Sequence, residues 1–253
     1  MKKFLFIVIM LLLTVSTAKA ELITFFGEDI GESETRLTSH PNADAAKSDF
    51  SDRLPGVYTE TFEGINTGTQ NPGISFGDAG TADFGETLSN QVQVLERPTG
   101  TNAGRYPISG NKYLEFFSYA TVTFTEQISA FGFYGTDIGD FNGQVTLKTY
   151  SNGDLKNELA IPSTSGNENP GGTVVYFGFI DFDNSFDTVV FGNTNMDPGV
   201  DVFGFDDFTI GTLAQVVDPP PDSGSSPVPE PSTIFLVSFG VIGLGALKRR
   251  FFH

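Results

Sequence analysis

Between residues 21 and 217 apolar and polar positions change places in short blocks, with Gly, Pro, Asn or Asp intervening every 8–14 residues. In Thr121-Val122-Thr123-Phe124-Thr125 and Gln144-Val145-Thr146-Leu147-Lys148 the exchange has period two, which places one strand face in a core and the other in water. The same punctuation predicts strands over residues 22–26, 57–62, 91–95, 113–117, 121–125, 128–134, 144–150, 173–180, 186–191 and 202–210. Strands of this length and turn density build an all-β fold, an antiparallel β-sandwich or jelly roll. Helical periodicity is weak: residues 44–54 have room for a short helix, but their polarity reads as loop.

The tripeptide Phe-Gly-Phe recurs at Phe131 to Phe133, Phe177 to Phe179 and Phe203 to Phe205. The offsets of 46 and 26 residues are unequal, so this is not a tandem repeat. Two Phe on one strand face, bracketing a Gly, read as core with a close approach on the opposite face. An aromatic platform for sugars is the functional alternative, and burial outweighs it.

The two ends follow different rules. Lys2 and Lys3, an apolar run over residues 4–15, and the small-x-small sequence Ala18-Lys19-Ala20 predict a signal peptide over residues 1–20, cleaved after Ala20. The run is short for an amino-terminal anchor, which needs about 20 apolar residues. The β-sandwich ectodomain then spans residues 21–217, and a Pro/Ser-rich linker follows over residues 218–227. Val228-Pro229-Glu230-Pro231 precedes an apolar run over residues 234–247, and Lys248, Arg249 and Arg250 close it as a cytoplasmic stop. As a helix those 14 residues span roughly 21 Å against a hydrocarbon thickness of about 30 Å. This short transmembrane helix is a marginal permanent anchor, and it reads as a tail that is recognised and then removed.

Residues 228–253, by their Pro-Glu-Pro motif, apolar run and basic end, resemble the PEP-CTERM sorting signal, a segment also labelled ice-binding protein C-terminal. The resemblance implies an exosortase-type sorting protease as partner, cutting near Glu230. It also implies export through the inner membrane of a Gram-negative bacterium, transient membrane anchoring by the apolar helix, and delivery to the cell surface or exterior. Extracellular polysaccharide is the usual setting of such proteins.

Composition removes several chemistries. There is no Cys and no Trp, and His40 and His253 are the only histidines, so thiol nucleophiles, disulfides, thiolate zinc sites and multi-histidine metal centres are excluded. With 31 acidic and 14 basic residues the formal charge is −17, which disfavours nucleic acid as a partner. Removing both ends discards six basic residues and Glu230, leaving 8 basic against 30 acidic residues, or −22.

Such a surface attracts divalent cations. Three acidic clusters are candidates: Glu60-Thr61-Phe62-Glu63-Gly64, Thr136-Asp137-Ile138-Gly139-Asp140 and Gly204-Phe205-Asp206-Asp207-Phe208. In the last, strand alternation lets only one of Asp206 and Asp207 face inward. The final block, residues 203–211, looks like the closing strand of PEP-CTERM ectodomains. A likeness to jelly-roll modules with a structural calcium implies that role for Glu63 and Asp207. Glu63, Asp137, Asp140 and Asp207 are thus the candidate calcium ligands, against the plainer reading of solvated Asp at turns. No other cofactor is indicated.

Catalysis has little to rest on. His40, before Pro41, has no nucleophile motif beside it and reads as a solvated loop residue. Carboxylates are too numerous for any pair to stand out as acid and base. Thr121, Thr123 and Thr125 make one threonine row with no second row at a fixed period, so an ice-binding array is not indicated. The sequence therefore describes an exported, non-enzymatic structural or adhesive module that binds polysaccharide, with a carboxylate-dependent glycan hydrolase as the alternative.

Overall fold

The structure, a computed structural model, describes residues 22–86, 92–117, 119–138, 144–163, 171–194 and 201–217. The chain divides into two compact units, Met1–Val217 and Asp218–His253, and the described residues all belong to the first. Ala18 and Ala20, the linker, the motif from Val228 to Pro231, the apolar run, the basic end and Asp140 lie outside them. Among the described residues no helix is long and apolar enough to cross a membrane.

In chain order the elements are β1 (Leu22–Asp29), α1 (Pro41–Ser51), β2 (Thr59–Glu60), β3 (Gly73–Ser75), β4 (Thr81–Glu86), β5 (Gln93–Glu96), β6 (Lys112–Phe117), β7 (Ala120–Ile128), β8 (Ala130–Thr136), β9 (Val145–Ser151), β10 (Asp154–Ala160), β11 (Val174–Asp181), β12 (Phe186–Asn193) and β13 (Val202–Gly211). They form the antiparallel sandwich that the alternation predicted. One sheet runs β1-β11-β8-β13-β6-β5, with β2 also paired to β13, and the other runs β10-β9-β12-β7-β4-β3.

The second sheet has one dry and one wet face. In β7, Ala120, Val122, Phe124 and Ile128 are buried while Thr123 and Thr125 are exposed. Asp83 of β4 and Thr188 of β12 flank Thr123, and Gly85 and Val190 flank Thr121, so the threonine row has no regular partner row.

The first sheet is dry on both faces at its centre: every residue of β8 and β11 is buried. Its inner Phe side chains meet Val122, Phe124, Leu147 and Phe191 of the opposite sheet. Its outer face carries Tyr134, Tyr176 and Ile180, covered by Ala43, Ala46 and Phe50 of α1. The described residues form a sandwich with a third, helix-and-loop layer.

That layer explains the Phe-Gly-Phe repeats. Phe131 pairs with Phe179, Gly132 with Gly178 and Phe133 with Phe177 across β8 and β11. The four Phe, with Phe203 and Phe205, are at most 2% exposed, which settles the choice between core and sugar platform in favour of core. The paired glycines face α1 and make a slot for the Phe50 ring: a Cβ at Gly132 would lie 2.9 Å from that ring and one at Gly178 2.8 Å.

Two expectations from the sequence fail locally. Residues 41–51 are helix and not loop, because Ala43, Ala46 and Phe50 share one face that the first sheet buries, and Pro41 suits the first helical turn. The strand expected over residues 57–62 shrinks to Thr59–Glu60. Phe62 adopts φ 59°, its N–H bonds to Glu60 Oε1 at 2.5 Å, and its ring turns inward against Phe208.

Candidate functional site

The functional surface begins at a bulge in β13. Phe205 and Phe208 both enter the core, with two residues between them where alternation allows one, and the register against β8 shifts between Asp206 and Thr209. Asp207, at φ 52°, is the extra residue. Both acids therefore face the outer layer, at 1% and 3% exposure, which corrects the expectation that strand alternation sends them to opposite faces.

Asp206 Oδ2 accepts the N–H groups of Ile108 (2.8 Å) and Ser109 (2.9 Å), and its Oδ1 accepts the Asp207 N–H at 2.7 Å. Burial, with the charge of Asp207 next, pushes the Asp206 carboxyl well above the usual carboxylate range, against the pull of those three donors. Asp207 accepts the Ser109 hydroxyl at 2.5 Å and forms an ion pair with Lys47 of α1.

The same loop is tied at two further points. Glu63 Oε1 accepts the N–H groups of Asn111 (2.7 Å) and Lys112 (2.6 Å). Arg105 donates from Nε to Glu115 at 2.8 Å and from Nη1 to Asp137 at 2.9 Å. Burial works against the Arg105 cation, but Glu115 and then Asp137 outweigh it and hold its pKa above the ordinary guanidinium value.

Glu63, Asp137 and Asp207 thus each bind protein donors on one loop. Among the described residues no group of three or more acidic or histidine side chains comes together, and Asp140, the fourth expected calcium ligand, lies outside them.

What the loop builds is one wall of an open groove. Its volume is about 350 Å³, and Arg36, Leu37, Thr38, His40, Tyr106 and Ile108 line it. The Tyr106 hydroxyl donates to the Gly172 carbonyl at 2.9 Å and accepts the Leu37 N–H at 3.0 Å. The Arg36 guanidinium lies over this ring, 5.4 Å from its centre. His40 is not a free loop residue: it precedes α1, and its Nδ1 lies 2.8 Å from Asp44 Oδ1 with 19% of the side chain exposed. Asp44 also accepts the Tyr134 hydroxyl at 2.6 Å, and burial followed by that carboxylate raises the Tyr134 pKa.

Sequence reading singled out Glu63, Asp137 and Asp207, which brace the groove's wall, and missed Arg36 and Tyr106, which line it. The lining residues come from two separate chain segments with no motif spacing between them.

Residues 227–250 match the family model of the PEP-CTERM protein-sorting motif, so the carboxyl-terminal segment carries an export-sorting signal. No curated protein matches the chain. Among solved structures, the K2 cleaved adhesin domain of Lys-gingipain (Kgp) is similar at a TM-score of 0.41 and 14% identity, over 62% of this chain and 98% of that one. The CBM22-1 xylan-binding domain of Paenibacillus barcinonensis Xyn10C is similar at a TM-score of 0.36 and 11% identity, over 64% of this chain and 97% of that one.

Proposed function

We propose that this protein is a cell-surface or matrix component whose sandwich binds polysaccharide without cleaving it, after processing by an exosortase-type protease. The sorting motif over residues 227–250 supports the destination. The groove supports the activity. It sets the hydrogen-bonding groups of Arg36, Thr38 and His40 beside the apolar side chains of Leu37 and Ile108, a mixture that suits the polar rim and apolar faces of a sugar ring.

Binding is favoured over hydrolysis by one observation. A glycosidase needs two carboxyl groups flanking the scissile bond, and none of the groove's lining residues is Asp or Glu. The buried acids nearby accept protein donors: Asp206 holds backbone N–H groups, Asp207 holds Ser109 and Lys47, and Asp137 and Glu115 hold Arg105.

Affinity electrophoresis in gels cast with the host's own polysaccharide tests this. Retardation without new reducing ends is expected. Unretarded migration would remove the binding reading, and release of reducing ends would replace it with the hydrolase.

A further inference from the structure

We infer, resting on the reading of the groove as a sugar site, that its ligand is an acidic sugar whose carboxylate binds Arg36. The first argument is charge. With 8 basic against 30 acidic residues between the two ends, carboxylates far outnumber the cations that could pair with them. Among the described residues the ion pairs use Lys47, Arg105, Lys148 and His40. Arg36 is in none of them, and it is held by the face of Tyr106. A guanidinium attracted to the face of a ring keeps its N–H donors available, in a planar fork that matches a carboxylate.

The second argument is preorganisation. The segment that carries Arg36 lies outside regular secondary structure, yet it is pinned on both sides. Thr101 Oγ1 donates to the Glu34 carbonyl at 2.5 Å, and the Leu37 N–H is held by Tyr106. At Gly172 (φ 90°) a Cβ would stand 2.5 Å from the Ser33 carbonyl and 2.6 Å from that of Thr35, so only glycine lets the two backbones meet. Arg36 is thus placed before any ligand arrives, which reduces the entropy lost on binding.

The third argument is selectivity of place. A second open groove of about 360 Å³, between β1 and α1, has Asp49 as its only charged lining residue. Of these two grooves of similar volume, only the Arg36 groove has a guanidinium in its lining. Its volume of about 350 Å³ is at the small end of ligand pockets, about 300–1,000 Å³, which suits one residue of a polymer entering from the open side. The molecule's overall negative charge repels a polyanion, but that repulsion is screened over about 8 Å at physiological salt, whereas the Arg36 contact is made at hydrogen-bond distance.

The test compares retention of the purified full chain on polygalacturonate, on its methyl-esterified form and on neutral dextran, with circular dichroism to check folding of each variant. Polygalacturonate should be preferred, Arg36→Gln should weaken that binding about tenfold or more, Arg36→Lys should keep part of it, and Arg97→Gln should change nothing. Equal retention on the neutral polymers, or a folded Arg36→Gln that binds polygalacturonate like the wild type, would overturn the acidic-sugar inference and leave the glycan reading standing. Failure to be retained by any polymer, the host's included, would remove both.

Discussion

Asp207 is the residue at which β13 gives up its alternation. Its positive φ costs about 1 kcal/mol for a side chain with a Cβ, and the Lys47 and Ser109 contacts offset that cost. The gain is a second acid on the outer face, next to Asp206. Because the Asp206 pKa is raised on folding, its neutral form is the one the fold favours. That stability is fully present below the ordinary carboxylate pKa of about 3.9 and fades as pH rises through the higher folded value. Asp206→Asn removes the titration while keeping an acceptor for Ile108 and Ser109. Relative to wild type, the variant should be at its least stable near about pH 3.5 and should gain on wild type towards about pH 7.5. Melting temperatures measured across that range check this, and a constant difference would refute it. The adjacency of the two acids was legible in the sequence. Their shared face was not, because a bulge is a mismatch of count between two strands that lie far apart in the chain.

At the scale of elements, what the sequence displayed was the residues that fill volume. The strands richest in Phe were found within a few residues of their true bounds, because large alternating side chains signal both strand and inward face. The helix α1 was missed because two of the three residues it buries are Ala43 and Ala46, which leave little apolar signal. The strands β3, β4 and β10 were missed because Gly, Asp, Asn and Lys fill much of them, and they are strands only by virtue of the neighbours they pair with. The slot under Phe50 gives the helix its seat. Gly178→Ala would place a methyl group 2.8 Å from that ring, and the resulting overpacking should cost about 1–3 kcal/mol. Trimming the ring with Phe50→Leu should recover part of that loss, which a double-mutant cycle of chemical denaturation would measure. Independent, additive losses would show that α1 does not rest on the paired glycines.

For the whole molecule, a charge of −22 between the two ends is a repulsive field with few internal counter-ions. Raising NaCl from about 20 to about 300 mM should therefore raise the melting temperature, because screening relieves repulsion spread over the surface while Arg105, half-buried between the buried carboxylates of Glu115 and Asp137, is screened less. A fall in melting temperature with salt would mean that attractive surface pairs dominate instead. The position of β13 adds a matter of timing. Among the described residues it is the last strand, yet it lies inside the first sheet, with β8 on one side and β6 and β2 on the other. A chain exported amino terminus first presents β1 to β12 before it, and until Gly211 emerges the sheet consists of two halves with no strand to join them. Seventeen residues later comes Val228, the start of the sorting motif. The fold is thus completed just as its address label comes due for reading, and a chain stalled or cut before that point carries neither the closing strand nor the label.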